Sequence, residues 1–146
     1  MKLKHLLVAF SFLVLPLTLA DSASAQAVPL PGTGCPGSLG PIVPGGRPPS
    51  SSNPWNLQCQ PNPNWNCVSG PVILLGVCSP AIPLGGLGCV AGCSLVINPS
   101  FGTFPDPLFV GPGGLQPGFT FCAQCACIDA AGCIQISEAL QITMTP

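Results

Sequence analysis

Four cysteines crowd into the last part of this 146-residue chain as Cys122-x-x-Cys125-x-Cys127, followed by Cys133. Thiolates this close could hold a zinc ion, provided that all four converge on one tetrahedral point. An alternating strand works against convergence, because Cys125 and Cys127 face one way and Cys122 the other, with Cys133 on the Cys122 side. The remaining cysteines are Cys35, Cys59, Cys67, Cys78, Cys89 and Cys93, which makes ten. An even number in an exported chain predicts five disulfides, with a pairing that the sequence leaves open. Disulfides are therefore the expectation, and a zinc site at Cys122, Cys125, Cys127 and Cys133 is the alternative. Cys125 and Cys127 are expected to find partners on an opposing sheet, and Cys122 and Cys133 on the outer face.

Other chemistry lacks its parts. Met1 to His5 is a basic leader, Leu6 to Ala20 is almost wholly apolar, and Ala23-Ser24-Ala25 is a small-residue cleavage signal. Residues 1–25 thus read as a secretory signal peptide. An apolar run broken by Pro16 is shorter than the roughly 20 residues that span a bilayer. Cleavage after Ala25 removes His5, Lys2 and Lys4, and there is no Tyr. Without His or Lys a serine nucleophile has no usual base, and neither Ser38 nor Ser94 stands in a G-x-S-x-G frame. Asp106 between two prolines reads as a loop residue and Asp129 as a turn residue, not as a glycosidase pair. Gly32-Thr33-Gly34-Cys35-Pro36-Gly37 matches G-x-G-x-x-G by letter, but the prolines around it forbid the strand and helix that a nucleotide fingerprint needs. No catalytic residue and no cofactor are expected.

Binding is better provided for. Arg47 is the only cation of residues 26–146, against Asp106, Asp129 and Glu138. One Arg cannot displace enough counterions to hold nucleic acid or an anionic membrane surface. Trp55 and Trp65 stand among Asn, Gln and Pro in two related stretches, Asn53-Pro54-Trp55-Asn56 and Asn62-Pro63-Asn64-Trp65-Asn66. Exposed, the two rings could form a sugar-stacking platform; buried, each would plug the core, which is where Trp more often goes.

The elements that position these residues read as strands. From Phe119 to Cys127 apolar residues take the odd positions, and from Ile134 to Met144 the even ones, broken only by Glu138. Such alternation predicts two half-buried strands, and Asp129-Ala130-Ala131-Gly132 supplies the turn of a C-terminal hairpin. With those four residues as the loop, Ile128 faces Cys133, Cys127 faces Ile134, Phe121 faces Leu140 and Phe119 faces Ile142. Both apolar sets then share one face. Glu138 is expected at a strand end or bulge that water reaches. Trp55 to Cys59, Pro71 to Cys78 and Cys93 to Asn98 are further strands, the second covered on both faces. Leu39 to Val43 is a short edge strand in which Pro41 is tolerated. Residues 99–117 read as a turn-rich link.

The chain holds 20 Pro and 18 Gly, yet its apolar runs and low charge oppose disorder. The expectation is an all-β fold: a disulfide-stabilised antiparallel β-sandwich of about six to eight short strands ending in a β-hairpin. After the signal peptide, residues 26–54 form a turn-rich lead-in and residues 55–146 the body of one domain, 26–146.

Cys35-Pro36-Gly37-Ser38, Pro71-Val72-Ile73-Leu74-Leu75-Gly76, Pro83-Leu84-Gly85-Gly86, Phe119 to Gln124 and Ile136 to Thr143 occur in an order that resembles an uncharacterised group of small secreted bacterial β-domains. The likeness covers residues 32–146. It departs where Cys122 and Cys125 replace aromatics and Glu138 replaces Asn. It implies secretion and an all-β fold, and brings no known activity or functional residue. The expected function is a non-catalytic structural or interaction module of the cell envelope or exterior, secreted or held in the periplasm or on the cell surface after Sec-type export. Its partner would be a protein or polysaccharide of the envelope, with no membrane span after cleavage. The alternatives are a carbohydrate-binding module using Trp55 and Trp65, and a metal-binding cysteine cluster.

Overall fold

The computed structural model describes residues 27–46, 49–88, 90–110 and 115–146; the leader 1–25 with its cleavage site, Arg47 and Cys89 lie outside them. The described residues form the expected disulfide-stabilised all-β fold, with antiparallel strands in two sheets and no α-helix. Along the chain these are β1 (Ala27–Leu30), β2 (Pro41–Ile42), β3 (Trp55–Cys59), β4 (Val72–Pro83), β5 (Ser94–Pro105), β6 (Leu108–Val110), β7 (Thr120–Ile128), β8 (Ile134–Ile136) and β9 (Ala139–Thr143). The larger sheet runs β1-β9-β7-β4-β5, with β8 also paired to β7, and the smaller runs β2-β3-β6.

Strand β3 joins the two sheets through its alternation. Trp55, Leu57 and Cys59 are buried, and Asn56 and Gln58 are not. The buried set packs on Ile73 and Leu75 of β4, Phe121, Ala123 and Cys125 of β7, and Leu140 and Ile142 of β9, which together form the main core. Trp55 and Phe121 meet in a tilted ring contact with centroids 6.1 Å apart.

The C-terminal hairpin exists, but its register differs from the expected one. Asp129 pairs back, its N–H donating to the Cys133 carbonyl at 3.0 Å, so the loop is Ala130-Ala131-Gly132 with Gly132 at φ 82. A three-residue loop ending in a left-handed Gly is a common hairpin closure. The shift of one residue sets Ile128 opposite Ile134, Cys127 opposite Gln135 and Ala126 opposite Ile136. A second irregularity at Ser137-Glu138 separates β8 from β9, after which Ala123 faces Leu140 and Phe121 faces Ile142. Two single-residue insertions restore the faces of β9 and invert those of β8, as the period of two requires. Leu140 and Ile142 therefore reach the main core, while Ile136 turns to the other side. Glu138 sits in this bulge, half-exposed.

That other side is not solvent. Ile136, Ala126, Cys35 and Cys93 form a second buried cluster, with Ile134, Val72, Leu74, Leu84 and Leu95 around it. The segment from Gly34 to Ser38 and the stretch leading into β5 cover the outer face. Strand β7 is consequently buried on both sides from Phe121 to Cys127, where one face was expected to meet water. Strand β4 lies between β7 and β5 and is covered over its first half, as its continuous apolar run suggests; beyond Cys78 it is largely exposed.

Three elements depart from the expected layout. Residues 99–105 continue β5 instead of forming a link, pairing from Leu75↔Gly102 to Val72↔Pro105. The prolines that suggested a turn, Pro99 and Pro105, are accommodated because β5 is an edge strand. Within the supposed link β6 adds an edge to the smaller sheet. Residues 27–30, assigned to the lead-in, form β1 on β9, with Ala27 opposite Ile142. Strand β2 is the expected edge around Pro41, reduced to two residues.

Candidate functional site: a polar cleft beside Trp65

The structure separates the two tryptophans. Trp55 is only 5% exposed and belongs to the core, which removes it from any binding platform. Its indole N–H is buried with no hydrogen-bond partner among the described residues. Trp65 is half-buried at the edge of that core and opens onto a cleft of about 390 Å³. Gln58, Gln60, Asn62, Asn66, Pro71 and Asp106 also line the cleft.

Local turn chemistry sets the ring in place. Asn62 accepts the Asn64 N–H on Oδ1 at 2.9 Å, and its backbone carbonyl accepts the Trp65 N–H at 3.0 Å. Pro63 between them pre-sets the backbone dihedral for such a turn. The Cys59 N–H donates to Asp106 Oδ1 at 2.8 Å, so one carboxylate oxygen is engaged and holds the loop after β5 against β3. Two disulfides bracket the segment: Cys59–Cys125 ties its start to β7, and Cys67–Cys127 ties its end two residues further along the same strand.

The cysteine cluster is a set of crosslinks. Cys125 joins Cys59 on the opposing sheet, as the strand alternation suggests, and Cys122 joins Cys78 on the neighbouring strand β4. Cys127 joins Cys67, in the loop after β3 and not on a strand of the opposing sheet. Cys35 joins Cys93, and Cys133 is disulfide-bonded too. Cys122, Cys125, Cys127 and Cys133 thus have no thiolate to offer a metal, and the zinc alternative fails on this geometry.

The glycine motif is equally committed. Gly34 exchanges backbone hydrogen bonds with Ser94, and Cys35 N–H donates to the Ile136 carbonyl at 2.8 Å. Thr33 Oγ1 donates to the Leu30 carbonyl and accepts the Ala139 N–H. Amides spent on β5 and β8 cannot cradle phosphate, and among the described residues no α-helix follows them.

Asp129 is occupied by its own turn. Oδ1 accepts from the Ala131 and Cys133 N–H groups and Oδ2 from the Gln135 amide, each at 2.9 Å. The Cys133 N–H, then the Gln135 amide, hold its carboxyl below the usual range. Its role is structural.

Comparison with protein-family models, curated proteins and solved structures finds no match.

The cleft was partly legible beforehand, since the Asn- and Gln-rich setting of Trp65 is visible in the chain. Asp106 was not: it reaches Cys59 across 47 positions, a contact that local spacing cannot announce.

Proposed function

We propose that the chain is a secreted, non-catalytic interaction module of the bacterial cell envelope or exterior, held in the periplasm, at the surface or outside. The observation that carries this reading is the cross-linking of β7, whose Cys122, Cys125 and Cys127 bond to three different parts of the chain. Disulfides in this number belong to oxidising compartments. The leader at residues 1–25 and the resemblance to secreted β-domains point the same way, and among the described residues no helix is long and apolar enough to cross a membrane. The side-chain inventory supports a non-catalytic role: no His or Lys remains after cleavage, and Asp129 is consumed by its turn.

Export of the full chain from a bacterial host tests this reading. The product is expected outside the cytoplasm, beginning at Gln26, with an intact mass unchanged by alkylating reagent unless reductant is added. Retention in the cytoplasm, or five or more cysteines alkylated without reductant, would overturn it.

A further inference from the structure

We propose that the Trp65 cleft is a binding site for a neutral sugar unit of a polysaccharide. The proposal rests on the exterior reading for its biological setting and on the cleft alone for its chemistry. At about 390 Å³ the cleft falls within the roughly 300–1,000 Å³ of small-ligand sites. Trp65 supplies a broad apolar face, and its packing against the core fixes the ring before any ligand arrives. A sugar ring presents axial C–H groups on one side, which suit an aromatic face, and hydroxyls around its rim.

The rim of the cleft matches those hydroxyls. Gln58, Gln60 and Asn66 carry amides that donate and accept at once, as hydroxyls do. Within the described residues no hydrogen bond engages these three side chains. The Asp106 oxygen not bonded to Cys59 is a further acceptor. Among the described residues no cation lines the site and the one charge there is negative, which disfavours phosphate, sulfate and uronate groups. An apolar peptide would leave the amides unpaired, at a cost that a hydroxyl-rich ligand avoids. The two disulfides at Cys59 and Cys67 hold the segment in its bound geometry, so little ordering remains to oppose binding.

The decisive experiment titrates the oxidised chain calorimetrically with cellohexaose, xylohexaose and chitohexaose, and with an oligogalacturonate and a proline-rich peptide as contrasting probes. At least one neutral hexasaccharide is expected to bind. Trp65→Ala should weaken it by about tenfold or more, the equivalent of about 1.4 kcal/mol, and Asn66→Ala by a smaller factor. Trp55→Phe should leave binding unchanged. In that variant Trp65 is the sole tryptophan, and the bound sugar should protect its fluorescence from acrylamide quenching, a readout independent of whether Trp65→Ala folds. Folded protein that binds no neutral hexasaccharide, that binds one equally well without Trp65, or that prefers the anionic probe or the peptide overturns the proposal. Export and thiol state decide the exterior reading separately, so either idea can fail without the other.

Discussion

The side-chain amide of Gln124 donates to the backbone carbonyl of Ser137 at 2.9 Å, with Gln124 fully buried in the middle of β7. Its oxygen accepts the Val96 N–H of β5 at 2.9 Å, so one side chain satisfies backbone groups on two elements that β7 does not pair with at that point. Ser137 reciprocates, its hydroxyl accepting the Cys125 N–H at 2.8 Å and donating to the Glu138 carbonyl at 2.7 Å. The bulge between β8 and β9 is thus held by side chains that replace the missing ladder bonds.

Gln124→Leu keeps the volume and removes every one of these bonds. The Val96 N–H and the Ser137 carbonyl are then buried without partners, at about 1–3 kcal/mol for each such group. The expected loss is about 2–5 kcal/mol, read from urea or guanidinium melts with the disulfides intact. A loss below about 0.5 kcal/mol, typical of an exposed site, would show that water reaches the bulge after all.

Gly34 and Gly37 offer a matched pair. Their φ angles are 76° and 74°, so an added side chain meets the same left-handed backbone strain at both. A Cβ on Gly34 would collide with the carbonyl of Ser137, whereas one on Gly37 would meet open space. Gly37→Ala should cost about 1–2 kcal/mol from the backbone alone. Gly34→Ala should cost about 1–3 kcal/mol more, the usual range for forced overpacking. Thermal unfolding of both variants measures the difference; equal costs would mean that the Ser137 bulge yields freely.

Phe121→Ala should lose about 3–5 kcal/mol, because the ring is buried between Trp55 and Ile142 and its removal leaves a cavity. Leu140→Ala, opposite Ala123, should lose about 2–5 kcal/mol by the same mechanism. Thr120→Ala removes only an exposed hydroxyl contact with Thr143 and should stay near ~0.5 kcal/mol. Denaturant midpoints of the three variants order them; a Thr120→Ala loss as large as that of Phe121→Ala would contradict the burial.

The alternation of Phe119 to Cys127 made the inner face of this hairpin readable, and it did so because a core contact every second residue leaves a periodic trace. The outer face was unreadable for a related reason. Gln124 and Thr120 look like solvent-facing polar residues, yet Gln124 is buried by segments far away in sequence, near Gly34 and Ser94. The register went astray at Gly132 and Ser137, where bulges add residues without altering composition. Trp55 and Trp65 carry nearly the same neighbours, and only the position of β3 under β7 assigns one to the core and the other to the cleft.

Acid should act through Asp129. Its folded pKa is depressed, so the contribution is fully present above the unfolded value of about 3.9 and is lost as pH falls through the lower folded value. Wild-type stability is expected to decline below about pH 4, and Asp129→Asn should flatten that limb. Urea midpoints at neutral and acidic pH provide the check. An undiminished acid slope in Asp129→Asn would assign the effect elsewhere.

The four crosslinks between described cysteines close over loops spanning 44 to 66 positions, and each of these straddles the turn that contains Leu87. Backbone cleavage at that exposed side chain would therefore produce two fragments still joined through Cys35–Cys93, Cys59–Cys125, Cys67–Cys127 and Cys78–Cys122. The broken molecule would keep its mass apart from one added water, and both strands of its central pairing would stay in place. In surroundings rich in proteases, a nick there would be silent: the damaged copy and the intact one would present the same cleft.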